Sequence, residues 1–539
     1  MSIVSPQTYS LEQLLTRRRY QVPIYQRPFT WTIDQASALF DDIEKNEAPY
    51  FLGILVFQKS SEENRLCMIV DGQQRMATLL LLIRSAIELL GKSDEDAKQL
   101  QITYINQKKV GKDLPKFVLT LNDRDKFNFY SLISDSEYVP TKYPPGGRPI
   151  RFTSSKKLKT VKDILSDKLA KLLTKIGRDK FIDFIMDKVL EVNFVEVILE
   201  DDNDVYLFFE TLNARGIDLT ISDLLKNYVC SIADNKTEAS KNVDEITNIV
   251  GEGKMNSFLL HYSIALSEGS SPPTKKILMN WYSEIIGEEK DKFLLKLKDY
   301  ADIYSLFLDP NKITYSPELK DTLTFLKVLG ATRCYPLLLV GYMNLHPKDF
   351  IKLCEAVEVL TFRHSTIMGK DAKVLEEEYY KLLLQIKISK DVKPALERLK
   401  FLANKITSDE FNASFKVYEP ESNLIGKYIL YKIDNYLSKD SIRLNWNEIS
   451  LEHILAPGGA NWEGKQEYEE KLGNKILLKG KLNKSVGTKP YREKKEMYKK
   501  EDRVILTKYV VEKYQDFSRE EIIDFQQYLT KLSIEVWKP

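Results

Sequence analysis

This sequence predicts an α+β protein of several domains, and three observations carry that reading. The chain has 539 residues, more than one ordinary hydrophobic core serves, so two or three domains are expected. Its 43% hydrophobic content is enough for large cores. Its texture changes twice: β-like runs mix with helical patterns over 1–230, strands fade over 231–420, and they return over 421–539.

In the first region Tyr50–Gln58 and Arg65–Val70 read as strands, with the polar KSSEEN between them as a hairpin loop. Phe117–Leu121 and Val192–Glu200 read as two more. After Gly72, apolar residues recur at Met76, Leu79, Leu80, Ile83, Ile87 and Leu90, one face of a helix. Residues 143–160 combine Pro, Gly and charge and read as an exposed loop. Asp204–Val229 reads as helix, Gly-containing loop and helix, with Thr220 or Ser222 capping the second helix. Residues 231–420 read as helical. Beyond them ISLEHIL and NKILLKGKLN read as strands, and residues 491–514 as a basic helix followed by another.

Net charge is +2, which selects no partner for the whole chain. Four scattered cysteines, Cys67, Cys230, Cys334 and Cys354, lack CxxC pairing. That speaks against zinc ribbons and disulfide frameworks and fits a reducing cytosol. The N-terminus lacks a secretory signal pattern, and the longest apolar run, Leu79–Ile83, falls far short of the roughly 20 residues of a membrane span. A cytoplasmic protein with no membrane partner is expected.

The junction Asp71-Gly72-Gln73-Gln74-Arg75 places polar groups at the start of an apolar helix. Asp71 with Gln74 three residues on has capping-box spacing. The same residues suit an anion. A helix N-terminus presents free amides, Gly72 permits close approach, Gln73 and Gln74 add donors, and Arg75 adds a bidentate fork. Asp71 could hold a metal ion. Gln26 and Arg27, in VPIYQRPFTW, supply a second candidate clamp, although packing of the aromatics around Pro28 also accounts for part of that motif. Asn213, Arg215 and Gly216 form a polar loop that could close over nucleotide or contact DNA. No GxxxxGK[ST] is present, so a P-loop is excluded.

The last region carries the sharper signal. His453 follows Glu452 in SLEHILAPGG, Asn474 comes 21 residues later, and Asn483 nine residues after that. This spacing resembles the ββα-metal (HNH) nuclease motif. The residue types suit phosphodiester hydrolysis: neutral imidazole can activate water, and a hard cation needs few protein ligands. On that reading His453 is the general base, Glu452 and Asn483 hold Mg²⁺ or Mn²⁺, and Asn474 fixes the loop or orients the ring. A lone histidine on an apolar strand is more often structural; the Glu-His pair and both asparagines tip the balance. Between Lys471 and Lys500 there are eleven Lys/Arg against two Asp/Glu, an excess of +9 that marks a phosphate-binding footprint.

Two sets of motifs narrow the resemblance. Glu452-His453-Ile454, Trp462, Gly473-Asn474, Leu477-Leu478, Leu482-Asn483 and Tyr491 with Lys494 resemble the C-terminal nuclease domain of GmrSD-type restriction enzymes. Pro457 comes one residue late, and Lys475 replaces the usual Leu after Gly-Asn. VPIYQRPFTW, FLGILVF, IVDGQQRMATLLLLI and FFETLNARGIDLTISDLLKN resemble, in that order, the N-terminal domain of GmrSD-type and SspE-like defence proteins. The resemblance implies a ParB/sulfiredoxin-like domain over 1–230 that binds and hydrolyses a nucleoside triphosphate, GTP or ATP, and senses DNA. It also implies a helical coupling region over 231–420 and an HNH-like nuclease domain over 421–539, with Lys494 in the catalytic set beside His453, Asn474 and Asn483. The expected function is an NTP-regulated endonuclease acting on modified or phage DNA. A non-cleaving, nucleotide-switched DNA-binding protein and an RNA-directed nuclease are the alternatives. A homo-oligomer is left open.

Overall fold

Among the described residues, eight strands fall in the N-terminal part of the chain: β1 (Ile3–Ser10), β2 (Arg19–Gln21), β3 (Phe51–Lys59), β4 (Leu66–Asp71), β5 (Asn106–Gln107), β6 (Lys116–Phe117), β7 (Leu119–Thr120) and β8 (Asn193–Leu199). Six build one mixed sheet in the order β1-β8-β3-β4-β2-β7, and β5 and β6 pair separately. This is a computed structural model. It describes the chain except residues 1–2, 25, 60–65, 108–115, 124, 136–152, 200–220, 234, 268–281, 283–289, 439–443, 459–464 and 502. Residues 60–64 of the KSSEEN loop, the Asn213-Arg215-Gly216 loop, Thr220 and Trp462 therefore lie outside the described residues, while Lys59 ends β3.

Two units divide the chain, residues 1–244 with 279–290 and residues 245–278 with 291–539. In the first, the expected strands at 50–58, 65–70 and 192–200 are β3, β4 and β8, and 117–121 is split between β6 and β7. Helix α1 (Leu11–Arg17) follows β1, and α2 (Ile33–Lys45) precedes β3. Helix α3 (Gln73–Leu90) is buried at every residue from Met76 to Ile87. A helix buried on all sides needs cover all round. Part of that cover is α4 (Thr153–Ile176), which packs along α3. The loop expected over 143–160 therefore ends earlier, because Thr153 already starts α4. Its first residues, Thr-Ser-Ser, look loop-like in sequence yet suit a helix start.

In the second unit the described chain is helical from Glu252–Leu266 to α5 (Asn423–Leu437). Strands β9 (Ile449–His453) and β10 (Lys475–Lys479) then pair antiparallel, with His453 opposite Lys475. Helices α6 (Gly480–Val486), α7 (Tyr491–Tyr498), α8 (Ile505–Lys513) and α9 (Arg519–Val536) follow. The second expected strand thus stops at Lys479, and GKLN is the start of a helix. One core runs from Phe325 and Phe362 through Tyr428 to β9, β10 and Trp537, so it crosses residue 420, where the sequence texture changes. Trp537 stacks on Phe362 with ring centroids 4.1 Å apart and donates Nε1–H to the Tyr428 hydroxyl at 2.8 Å.

A buried carboxyl ties α5 to α8. Asp434 on α5 is 1% exposed and accepts the Leu506 amide at 2.7 Å. Burial pushes its pKa up to about 7, opposed by the Leu506 and Ile505 amides; Glu501 raises it further and Lys508 lowers it. The folded protein therefore holds a proton that the unfolded chain releases near pH 4. Stability from this group is present at low pH and falls as pH rises toward 7, by a cost on the order of 3–4 kcal/mol. Asp434→Asn keeps an acceptor for Leu506 and removes the titration. Denaturant melts at pH 5 and pH 8 are expected to show a smaller loss in the variant than in the wild type. An equal loss in both would refute the assignment.

Candidate active site

In the first unit, the start of α3 is built around Gly72. This residue caps the helix with a φ of +96°, a left-handed conformation, and an added Cβ would clash with Leu55 Cδ2. The capping box suggested by the Asp71–Gln74 spacing is not formed, because the cap is Gly72 and has no side chain. Asp71 instead pairs with Arg75 at 3.2 Å. The Arg75 guanidinium also donates to the carbonyls of Leu52 and Ile54 at 3.1 and 2.7 Å, which fastens α3 to β3.

The two glutamines turn toward the other motif. Gln74 Oε1 accepts the amides of Thr30 and Trp31 at 2.9 and 3.3 Å, and its Nε2 donates to Pro28 O. Gln73 Nε2 donates to Arg27 O at 3.2 Å, and Gln26 Nε2 donates to Val70 O at 3.0 Å. The segments Gln26–Trp31 and Val70–Arg75 therefore hold each other's backbone. Sequence reading took these amides as donors for a ligand; in the structure their side chains have internal partners. The helix terminus itself is largely buried at Gly72, Gln73 and Gln74. Its ladder begins only with Met76 N to Gly72 O, so the first amides lack an intrahelical acceptor. Half-buried Arg27 lines a small pocket there with Gln73, Gln74, Asn122 and Asp125. Asn213 and Arg215 lie outside the described residues.

In the second unit, β9, β10 and α6 gather most of the expected constellation. Successive strand residues point to opposite faces, so Glu452 shares a face with Ser450 while His453 turns the other way. Asn483, on α6, donates Nδ2–H to Ser450 Oγ and to Leu451 O, both at 2.8 Å, which places it over the Glu452 side. Lys494, fully buried on α7, donates to Glu452 Oε1 at 2.6 Å and to His453 O at 2.7 Å. Burial raises the Glu452 pKa and Lys494 opposes the rise. His453 is the last residue of β9, and Lys494 ties its carbonyl to the Glu452 carboxylate.

Asn474 fixes the loop after β9. Its Oδ1 accepts Leu455 N at 2.9 Å, and its Nδ2 donates to the carbonyls of Leu455 and Glu469, both at 3.0 Å. Gly473 before it lies against α9: its amide donates to Gln526 Oε1 at 2.8 Å, and a Cβ there would overlap Ile522 O. That close approach accounts for Gly-Asn as a pair.

His453 has an unexpected neighbourhood. Its Nε2 is buried, 3.3 Å from Glu470 Oε1, and makes no aligned hydrogen bond among the described residues. Burial and the Lys475 cation hold the imidazole below its ordinary pKa, against Glu470, so the ring is neutral at pH 7. Sequence reading missed Glu470. The available signal was Lys475, a lysine inside an apolar strand, which requires a carboxylate partner.

The basic excess is also redistributed. Of the eleven cations from Lys471 to Lys500, Lys475, Lys494 and Lys495 are buried. Lys471, Arg492 and Lys499 sit in ion pairs with Glu419, Asp516 and Glu496. Lys481 and Lys484 are exposed on α6, next to Asn483. Among the described residues no three His, Cys, Asp or Glu side chains cluster as a metal cage. Oxygen donors near this strand end include Glu452, with Oε1 taken by Lys494, Glu470, with Oε2 taken by Lys475, and Asn483, whose Nδ2 is bonded to Ser450 and Leu451. One carboxylate and one amide oxygen fit a hard cation that keeps its waters.

Both ends of the chain match domains of a restriction endonuclease. Residues 11–230 match the family described as GmrSD restriction endonuclease, N-terminal domain, and residues 405–532 match GmrSD restriction endonucleases, C-terminal domain. The chain belongs to the GmrSD restriction endonuclease family. No individually curated protein matches it. Family membership supports a nuclease with DNA as its substrate. No described helix is long and apolar enough to cross a membrane.

Proposed function

We infer that this chain cleaves modified or phage DNA with a metal-assisted centre at the end of β9, under control of a nucleoside triphosphate bound at the start of α3. The observation that carries the reading is the strand end itself: half-buried His453 follows Glu452 at the end of β9, its imidazole held below its ordinary pKa by burial, Asn483 is bonded to Ser450 and Leu451 of the same strand, and Lys481 and Lys484 are exposed on the adjoining helix. His453 takes the proton of the attacking water. Asn474 holds the loop that follows the base. Glu452 and Asn483 would hold Mg²⁺ or Mn²⁺, which when bound stabilises charge on the phosphate and the leaving oxygen. Lys494 fixes the Glu452 carboxylate. Lys481 and Lys484 contact phosphates, which position DNA without reading its sequence.

GTP or ATP is assigned to the N-terminal unit on the first amides of α3, which have no intrahelical acceptor, and the adjoining Arg27. Gly72 lets the backbone approach the phosphates, and the internal bonds of Asp71, Gln73, Gln74, Arg75 and Gln26 hold that terminus rigid. An enzyme that must spare its host needs discrimination, which a modified base on the invading DNA or a mark on the host DNA would each provide. The test is cleavage of unmodified plasmid and of modified phage DNA by the full chain, each with and without GTP or ATP. The reading expects cleavage that depends on the DNA source and changes with nucleotide. Equal cleavage of both DNAs, indifferent to nucleotide, would contradict it.

A further inference from the structure

The region around His453 contains a buried charge pair that none of the roles above uses. Lys475 lies opposite His453 in the β9–β10 ladder, so both side chains share a face. It is fully buried and donates to Glu470 Oε2 at 2.6 Å. The other oxygen of the same carboxylate lies 3.3 Å from His453 Nε2. The loop that presents Glu470 is pinned on both sides. Asn474 donates to Glu469 O, and Lys471 pairs with Glu419 at 2.7 Å.

A structural pairing alone does not account for this geometry. A buried lysine needs one carboxylate oxygen, yet Glu470 uses its second to face the imidazole. Glu470 is also about half exposed, so it can shift toward a ring that acquires charge. Catalytic hydrogen bonds are often long or misaligned in the free enzyme and tighten in the complex. We propose that Glu470 is a positioning residue: it accepts Nε2–H of His453, leaves Nδ1 as the nitrogen that takes the water proton, and is itself held by Lys475. This rests on the nuclease reading above. The arrangement follows the general rule that the hydrogen bond at one ring nitrogen sets the role of the other.

The test is plasmid nicking by the full chain in Mg²⁺, with turnover and half-saturating DNA concentration measured separately. Glu470→Gln is expected to lower turnover about 10- to 100-fold, as loss of such a supporting partner does, with DNA affinity unchanged. Because that substitution leaves Lys475 buried without its anion, a Glu470→Gln/Lys475→Met double variant removes both charges and is checked by thermal melting. Recovered stability with turnover still depressed supports positioning. Wild-type turnover in either variant, or a loss of DNA affinity with turnover intact, overturns it. His453→Ala is run alongside: if it nicks normally the nuclease reading itself fails, whereas an inactive His453→Ala with an active Glu470→Gln refutes only the role of Glu470.

Discussion

Replacing Lys494 by methionine is expected to destabilise the C-terminal unit by about 3–5 kcal/mol, the usual cost of breaking a buried ion pair from one side. Lys494 is fully buried and satisfies two oxygens, Glu452 Oε1 and His453 O. Without it both lose their donor, and burial drives the Glu452 carboxyl further toward its protonated form. The paired variant Glu452→Gln/Lys494→Met removes both charges and is expected to recover most of the loss. Urea unfolding of the three proteins measures this. A single variant within about 1 kcal/mol of the wild type, as is usual for exposed pairs, would show that the pair is solvated instead.

His453→Ala is expected to lower the nicking rate about 10²- to 10⁴-fold, the range that a positioned general base contributes. DNA affinity should hardly change, because the phosphate contacts assigned to Lys481 and Lys484 remain. The truncation leaves the β9–β10 ladder untouched, since its hydrogen bonds are backbone, and the Asn474 contacts to Leu455 and Glu469 persist. Loss of turnover should therefore come without loss of fold. Gel-shift affinity and thermal melting, measured on the preparation used for nicking, separate the three quantities.

Much of this molecule was legible before its structure. Strands β3, β4, β8, β9 and the apolar helix α3 have periodicities that burial alone enforces. What escaped has physical reasons. Strand β1 contains Pro6 and several polar residues, and its partner is β8, which follows it only after more than a hundred and eighty residues. The stretch ILLKGKLN alternates like a strand, but Gly480 turns the chain into α6 while its amide donates to Glu448 O. The Asp71–Gln74 spacing suggested a cap, yet Gln74 is taken by Thr30 and Trp31, a contact fixed only when the fold forms.

The candidate site divides in the same way. His453, Asn474 and Asn483 are recognisable from spacing, because a ribbon and its helix fix their separation. Glu470 is not, because its position depends on how a polar loop is pinned by Asn474. Charge counting overstated the phosphate grip, since sequence cannot tell a buried Lys495, which donates to Tyr514 O, from an exposed Lys484.

The most direct test of the central claim is conversion of supercoiled plasmid to nicked and linear forms by the full chain, in Mg²⁺, in Mn²⁺ and in chelator, with His453→Ala and Asn483→Ala beside it. The account predicts cleavage by the wild type only with a divalent cation, and little or none by either variant in Mg²⁺. Cleavage that survives chelation, or that proceeds at the wild-type rate in His453→Ala, would contradict it.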